Sequence, residues 1–157
     1  MTVRDTSPGP SDLRLDVDVD APAVRTWAAA TDWDRQGEWM LGTRVQATAN
    51  DGRGVGGGLR AVTGIGPLAF ADTMVITEWD PPHITRVRHT GRLVRGTAAF
   101  EVRGRPGGST FVWSETLDLP FGPAGRAGWR IARPAFLWAL SYSLRRFAAW
   151  AVNHPDS

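Results

Sequence analysis

A chain of 157 residues with 42% hydrophobic and 22% charged residues is long enough for one globular domain and too apolar for a disordered protein. Its 18 basic residues are all arginines, against 16 acidic residues, so the net charge of +2 gives no general attraction for polyanions and predicts no nucleic-acid partner. Cysteine is absent, which excludes disulfides, thiol catalysis and thiolate metal sites and suits a reducing cytoplasm.

The two ends of the chain are where a leader or a membrane span would be expected. Residues 1–11 hold no apolar run, so we expect a flexible N-terminal tail rather than a signal peptide, followed by a single domain over residues 12–153. The most apolar stretch, near the C-terminus, is interrupted by Arg133, Arg145 and Arg146. The sequence therefore predicts no stable membrane insertion and a cytoplasmic protein.

Strands dominate the first two thirds of the chain. Apolar and polar residues alternate over 13–20, which predicts a half-buried strand. Pro22 and Asp32 stand where helices would begin, so two short helices are expected next. From Leu41 to Leu119, six period-two segments are separated by short turns rich in Gly, Pro and Asp. Strands joined by such short turns must be antiparallel, which predicts seven antiparallel strands in all.

The last part of the chain has helical periodicity, from about Ala124 to Val152. At 1.5 Å per residue this segment reaches roughly 43 Å, which is long enough to cross a sheet, although Pro134 should kink it or start a second helix. Residues placed every 100° form one broad apolar face, and Arg130, Ser141, Arg145 and Ala148 fall opposite it. Trp138 falls outside that face, near Arg145. It indicates either an interaction surface, for a partner, a homodimer contact or a membrane surface, or a side chain folded back on the rim of the sheet.

Several segments together carry a resemblance to a known superfamily. They are VDVDAPAVRTWAAATDWDRQGEW (17–39), EWDPP (78–82), GTAAFEV (96–102), GGSTFVWSETLDLP (107–120) and the arginine-studded final helix. In this order they resemble the START-related (SRPBCC) superfamily, and within it the polyketide cyclase/dehydrase and lipid-transport group. The resemblance implies an α+β helix-grip fold, with a seven-stranded curved antiparallel sheet wrapped around the long helix. It also implies a deep cavity for a hydrophobic ligand, but no invariant catalytic residues.

The strand patterns show which side chains would face such a cavity. Glu115 shares a face with the apolar residues of its strand, and Asp72 and His89 do so in theirs. Glu115 and His89 are therefore candidate acid–base residues. A strand bulge would reverse these faces, so a structural role stays open for each. The residues expected to line the cavity are Phe70, Asp72, Met74, Phe100, Phe111, Trp113, Trp129, Phe136 and Leu140.

Three classes of function remain compatible with these residues. The first is a binding or carrier protein that holds a hydrophobic small molecule, such as a lipid or polyketide. The second is an enzyme of the polyketide cyclase/dehydrase type, in which Glu115 or His89 moves protons. The third is a protein-interaction module, such as a toxin–antitoxin partner, using Trp138 and the C-terminal arginines. The three histidines show no metal-ligand spacing, so we predict neither a metal nor another cofactor.

Overall fold

One antiparallel sheet and one long helix make up most of the structure. The computed structural model describes residues 2–92 and 94–155. The strands are β1 (Val3–Asp5), β2 (Asp12–Val19), β3 (Thr43–Ala49), β4 (Gly58–Thr63), β5 (Phe70–Asp80), β6 (Ile84–His89), β7 (Gly96–Arg105) and β8 (Gly108–Leu117). Their order in the sheet is β1-β2-β8-β7-β6-β5-β4-β3. Apart from the β2–β8 pairing, each strand thus pairs with its neighbour in sequence.

The helices follow the predicted order. Helix α1 (Ala23–Ala30) and a 3-10 helix (Trp33–Glu38) come directly after β2, and α2 (Gly122–Ala151) ends the fold. Asp32 does not cap the 3-10 helix, because its carboxylate instead contacts Nε2 of His154 at 2.9 Å. The predicted α+β helix-grip fold is confirmed.

The sheet has eight strands within the described residues, one more than the sequence predicts. The additional strand is β1, in which Val3 pairs with Val17. It lies inside the segment 1–11 for which the sequence predicts a flexible tail. Arg4 joins it further to β2 through ion pairs with Asp16 and Asp18 at 2.5 and 3.1 Å. Three residues with a single apolar side chain give too short a pattern for periodicity to detect.

Helix α2 is continuous from Gly122 to Ala151, and Pro134 lies inside it without starting a second helix. Its two halves differ in burial. All six buried residues of the helix lie between Leu140 and Ala151, where α2 packs against the core. In the first half the side chains are half-buried or exposed. Helix α2 therefore packs tightly against the rest of the fold only near its C-terminal end.

Candidate functional site

A cavity of about 440 Å³ lies between the inner face of the sheet and α2. Its walls come from strands β3 to β8, from the 3-10 helix after α1, and from one side of α2. Of the residues that the sequence predicts to line it, these do so: Phe70, Asp72, Met74, Phe100, Trp113, Trp129, Phe136 and Leu140. Both candidate acid–base residues, His89 and Glu115, are also in the wall.

Phe111 is the exception among the predicted lining residues. It is fully buried in the core, with its ring 4.4 Å from that of Phe147 and 6.4 Å from that of Trp39. Phe111 lies on the inner face of β8, as the alternation predicts, but Trp39 and Phe147 fill the space in front of it. Strand periodicity indicates the face of a residue and carries no information on what fills the space beside it.

Several polar or aromatic lining residues were missed from the sequence, and two of them show why. Thr85 shares the inner face of β6 with Val87 and His89, so the same alternation could have identified it. Trp33 comes from the 3-10 helix rather than a strand and lines the cavity while its Nε1 donates to the carbonyl of Gly52 at 2.8 Å. No period-two pattern could have identified a wall residue from that helix.

Three polar side chains meet at one part of this wall. Nδ1 of His89 donates a hydrogen bond to Oδ2 of Asp72 at 2.5 Å, and Nε2 of His89 lies 3.4 Å from Oε1 of Glu115. The imidazole is 6% exposed and each carboxylate 8%. A Cβ added at Gly91 would come within 2.5 Å of Oδ1 of Asp72, so a glycine there leaves room for the carboxylate. The sequence predicts the inward faces of all three but not their contact.

The small residues of β7 allow this contact. His89 on β6 and Glu115 on β8 have β7 between them, so their backbones are roughly 10 Å apart. The β7 residue opposite His89 is Gly96, and the one opposite Glu115 is Ala98. Because neither has a long side chain, the imidazole and the carboxylate can extend over β7 and approach each other. Gly96 has a φ of +117°, and an added Cβ would overlap the carbonyl of Thr116.

The surroundings of His89 act on its pKa in opposite directions. Burial disfavours the imidazolium, whereas the hydrogen bond to Asp72 and the nearby carboxylate of Glu115 favour it. The carboxylates prevail and raise the pKa of His89 to about 9. At neutral pH the ring is therefore an imidazolium, with a hydrogen on both nitrogens.

Several buried polar atoms in the cavity wall have no hydrogen-bond partner within residues 2–92 and 94–155. They are Oδ1 of Asp72, Oγ1 of Thr85, Nε2 of His89 and Nε1 of Trp113. Leaving such a group unpaired costs about 1–3 kcal/mol, so buried polar atoms are normally paired with protein or with something bound. These four atoms therefore leave unused hydrogen-bonding capacity in the cavity wall.

Within the described residues, no group of three or more His, Cys, Asp or Glu side chains is arranged to hold a metal ion. In the cluster itself, Nδ1 of His89 is already bonded to Asp72, which leaves no lone pair on that nitrogen for a metal. Among the same described residues, no helix is both long and apolar enough to cross a membrane.

Trp138 and the C-terminal arginines lie away from the cavity wall. The Trp138 side chain is 63% exposed and stacks on Tyr142, with ring centroids 5.9 Å apart. It does not fold back on the sheet, which removes one of the two interpretations of the sequence. Arg146 donates to the carbonyl of Glu38 at 2.6 Å, and Arg133 lies 4.0 Å from Asp5. These two arginines therefore also hold α2 against the rest of the fold.

The fold and site define a class of protein: an α+β helix-grip domain with a mainly apolar cavity and a charged cluster inside it. The sequence pattern of the family described as polyketide cyclase / dehydrase and lipid transport matches residues 11–151, and the protein belongs to this family. The resemblance seen in the sequence is thereby confirmed. No curated protein sequence matches the chain significantly.

Solved structures share the fold at low sequence identity. A protein from Thermus thermophilus is similar with a TM-score of 0.75 and 15% identity, over 89% of this chain and 96% of that one. A protein from Rhodobacter sphaeroides gives 0.73 and 16%, over 95% and 97%. StfQ, a di-domain ARO/CYC from the steffimycin biosynthetic pathway, gives 0.68 and 13%, over 90% of this chain and 50% of that one. At these identities the likeness concerns the fold alone.

Proposed function

We propose that the protein binds a hydrophobic small molecule in the cavity between the sheet and α2. The observation that carries this proposal is the cavity itself, whose volume of about 440 Å³ falls in the range of ligand sites. Its wall is mainly aliphatic and aromatic, with a few polar groups in one region, which is the composition expected for a site that holds an apolar molecule in one orientation. Membership of a family that includes lipid-transport proteins agrees with this function.

Two exposed phenylalanines indicate where a ligand would enter. Phe70 on β5 is 39% exposed and Phe136 on α2 is 42% exposed, although both line the cavity. Each ring therefore borders solvent as well as the cavity. The half of α2 that carries Phe136 is also the half without buried residues, so it can move aside at little cost in packing.

Native mass spectrometry of freshly purified protein, followed by extraction and identification of released molecules, tests the proposal. The wild-type protein is expected to carry a stoichiometric hydrophobic adduct. Ala139→Phe should abolish it, because Ala139 lines the cavity and the added ring would occupy the ligand's space. Ala127→Phe is the matched control, since Ala127 is exposed on the same helix outside the cavity wall.

Two results would contradict the proposal. One is an adduct that survives Ala139→Phe unchanged, which would place the bound molecule elsewhere on the protein. The other is a wild-type protein that is free of adduct and also fails to bind any added hydrophobic probe in a titration of tryptophan fluorescence.

The cluster of Asp72, His89 and Glu115 favours a second candidate function, that of a cyclase/dehydrase-type enzyme. Because His89 is protonated at neutral pH, it would act as the general acid, and the Glu115 carboxylate would act as the base. The matching substrate is a carbonyl-rich chain such as a poly-β-ketothioester. For an enzyme, Glu115→Gln should lower turnover and leave affinity unchanged, whereas a carrier shows no turnover to lose.

A further inference from the structure

We propose that the ligand presents a neutral hydroxyl group, as an alcohol, phenol or enol, to the space between His89 and Glu115, and that ligands ending in a carboxylate are rejected. This inference rests on the proposed binding function and specifies its ligand class. It follows from the position of a donor that lacks a well-formed hydrogen bond within the described residues, beside a carboxylate 3.4 Å away that forms an ion pair with it, inside an apolar cavity.

The donor is the N–H at Nε2 of His89. Nδ1 on the other side of the ring is held by Asp72, which fixes the orientation of the imidazole. Nε2 is buried and has no hydrogen-bond partner within the described part of the chain. A ligand oxygen that accepts from Nε2 would satisfy it, and the gain is large because the donor is charged.

The neighbour of that donor restricts which oxygen can bind. Oε1 of Glu115 lies 3.4 Å from Nε2, so any ligand atom within hydrogen-bond distance of Nε2 is also close to a carboxylate. A hydroxyl fits both neighbours because its oxygen accepts from His89 while its hydrogen is donated to Glu115. An ether or ester oxygen can make only the first of these bonds.

A carboxylate ligand meets repulsion at the same place. The cluster already holds two carboxylates, Asp72 and Glu115, for one imidazolium. A third carboxylate would add a like charge within a few ångströms of Glu115 in a poorly solvated site. The cation that could offset this charge is Arg95, which also lines the cavity but is exposed.

A further donor extends the polar region along β8. Trp113 is two residues before Glu115 and shares its strand face, so the two residues are roughly 7 Å apart along the strand. Its Nε1 is buried without a partner within the described residues. A ligand with a second oxygen that accepts from Trp113 would satisfy this donor as well, which favours molecules with more than one oxygen over simple alcohols.

Calorimetric titration at pH 7 with three naphthalene probes tests the inference. The probes are 2-naphthol, 2-methoxynaphthalene and 2-naphthoate, which share one apolar body and differ in the polar group. We expect 2-naphthol to bind about tenfold more tightly than 2-methoxynaphthalene, because only the naphthol can donate to Glu115. 2-Naphthoate should bind at least as weakly as the methyl ether.

Variants of Glu115 test whether the preference for 2-naphthol over 2-methoxynaphthalene arises from the cluster of Asp72, His89 and Glu115. Glu115→Leu removes the acceptor and should reduce the tenfold preference to about twofold or less. Glu115→Gln keeps the shape of the side chain and should raise the affinity for 2-naphthoate relative to the other probes. Glu78→Leu, at an exposed position of β5, is the matched control and should change neither ratio.

The outcomes separate the inference from the binding function on which it rests. If the methyl ether binds as tightly as the naphthol, the cavity binds apolar ligands but the hydroxyl inference is wrong. If 2-naphthoate binds best, the hydroxyl inference is wrong, and the cavity instead contains an anion site at Arg95. If none of the probes binds, the inference and the proposed binding function both fail for this class of ligand.

Discussion

The two halves of α2 lie against the same sheet, yet the second half (137–151) contains all the buried residues of the helix, while the first half (122–136) contains none and borders a cavity. Ala139, Leu140 and Ser143, near the start of the second half, also line this cavity. In the second half, Leu144 and Phe147 are fully buried, and the Phe147 ring lies 4.8 Å from Trp39. In the first half, Trp129 and Phe136 face a cavity of about 440 Å³. The first half carries three large apolar side chains, Trp129, Ile131 and Phe136, whereas the second half carries six. The difference therefore arises both from the helix itself and from what each half meets on the opposite side.

The opposite sides differ in how completely their side chains fill the space beside the helix. Across from the second half of α2, the rings of Trp39 and Phe111 pack directly against Phe147. The cavity wall also has large rings, but it includes the short side chains of Ala61, Ala98 and Ala99, which leave space unfilled. The C-terminal end of the helix thus stabilises the fold, and its middle, from Trp129 to Ser143, forms part of the ligand site that we propose.

Truncating one phenylalanine in each half should give the largest contrast. Phe147→Ala removes a fully buried ring, and we expect it to lower the free energy of unfolding by about 3–5 kcal/mol. Phe136→Ala removes a ring that is already 42% exposed, and the loss should be about 1 kcal/mol or less. Urea unfolding of both variants measures the difference. Equal losses would mean that the first half is packed as tightly as the second.

A smaller effect is expected from the titration of His89, which is faced by Asp72 and Glu115. The pKa of His89 is about 9 in the folded protein and 6.5 when unperturbed. Its contribution to stability is therefore complete below about pH 6.5 and is lost as the pH rises through about 9. The other charged groups in the cavity wall are Arg95 and Asp118.

The measurement for this prediction is the free energy of unfolding as a function of pH, from about pH 6 to about pH 10. The wild-type protein should lose stability as the pH rises, and His89→Gln should lose less over the same window. His83→Gln is the control, because His83 is exposed at a turn and its replacement should leave the wild-type slope unchanged. Parallel curves for all three proteins would show that the carboxylates do not hold the proton on His89.

The smallest effect should come from the outer face of the sheet. Arg86 and Glu78 form an ion pair of 2.6 Å between side chains that are each about half exposed. Solvent screens such a pair, so Arg86→Ala should change the free energy of unfolding by only about 0.2–1 kcal/mol. It should leave probe binding intact. A loss above about 2 kcal/mol, outside the usual range of exposed pairs, would show that this face contributes to stability as the core does.

Periodicity predicted the order of strands and helices, and the family resemblance implied the helix-grip fold and its cavity; the two together predicted most of the cavity wall. Alternation identified the inward faces of Asp72, His89 and Glu115, and the bulge that could have reversed them lies further along β5, between Ile76 and Glu78. Contact between these three residues depends on strands that are adjacent in space and on the small residues Gly96 and Ala98, which a pattern within one strand does not reveal.

The failures of the sequence analysis have physical causes of the same kind. Ala148 is predicted on the solvent side of α2 but is fully buried, in the core cluster that also includes Ala29 and Ala30 of α1. The helix wheel gives directions around one helix and cannot show that a second element covers another side. Phe111 lies outside the cavity for a related reason, since Trp39 and Phe147 fill the space in front of it.

The most direct test of the contrast between the two halves uses the eight tryptophans as reporters. Each indole N–H gives one signal in a ¹H–¹⁵N spectrum, and the signals can be assigned by single Trp→Phe variants. Titration with 2-naphthol should shift the signals of the three tryptophans in the cavity wall, Trp33, Trp113 and Trp129. The signals of Trp39 and Trp150 in the packed half, and of exposed Trp138, should stay in place. Shifts confined to Trp39, Trp138 or Trp150 would contradict the account, because the ligand would then bind away from the cavity.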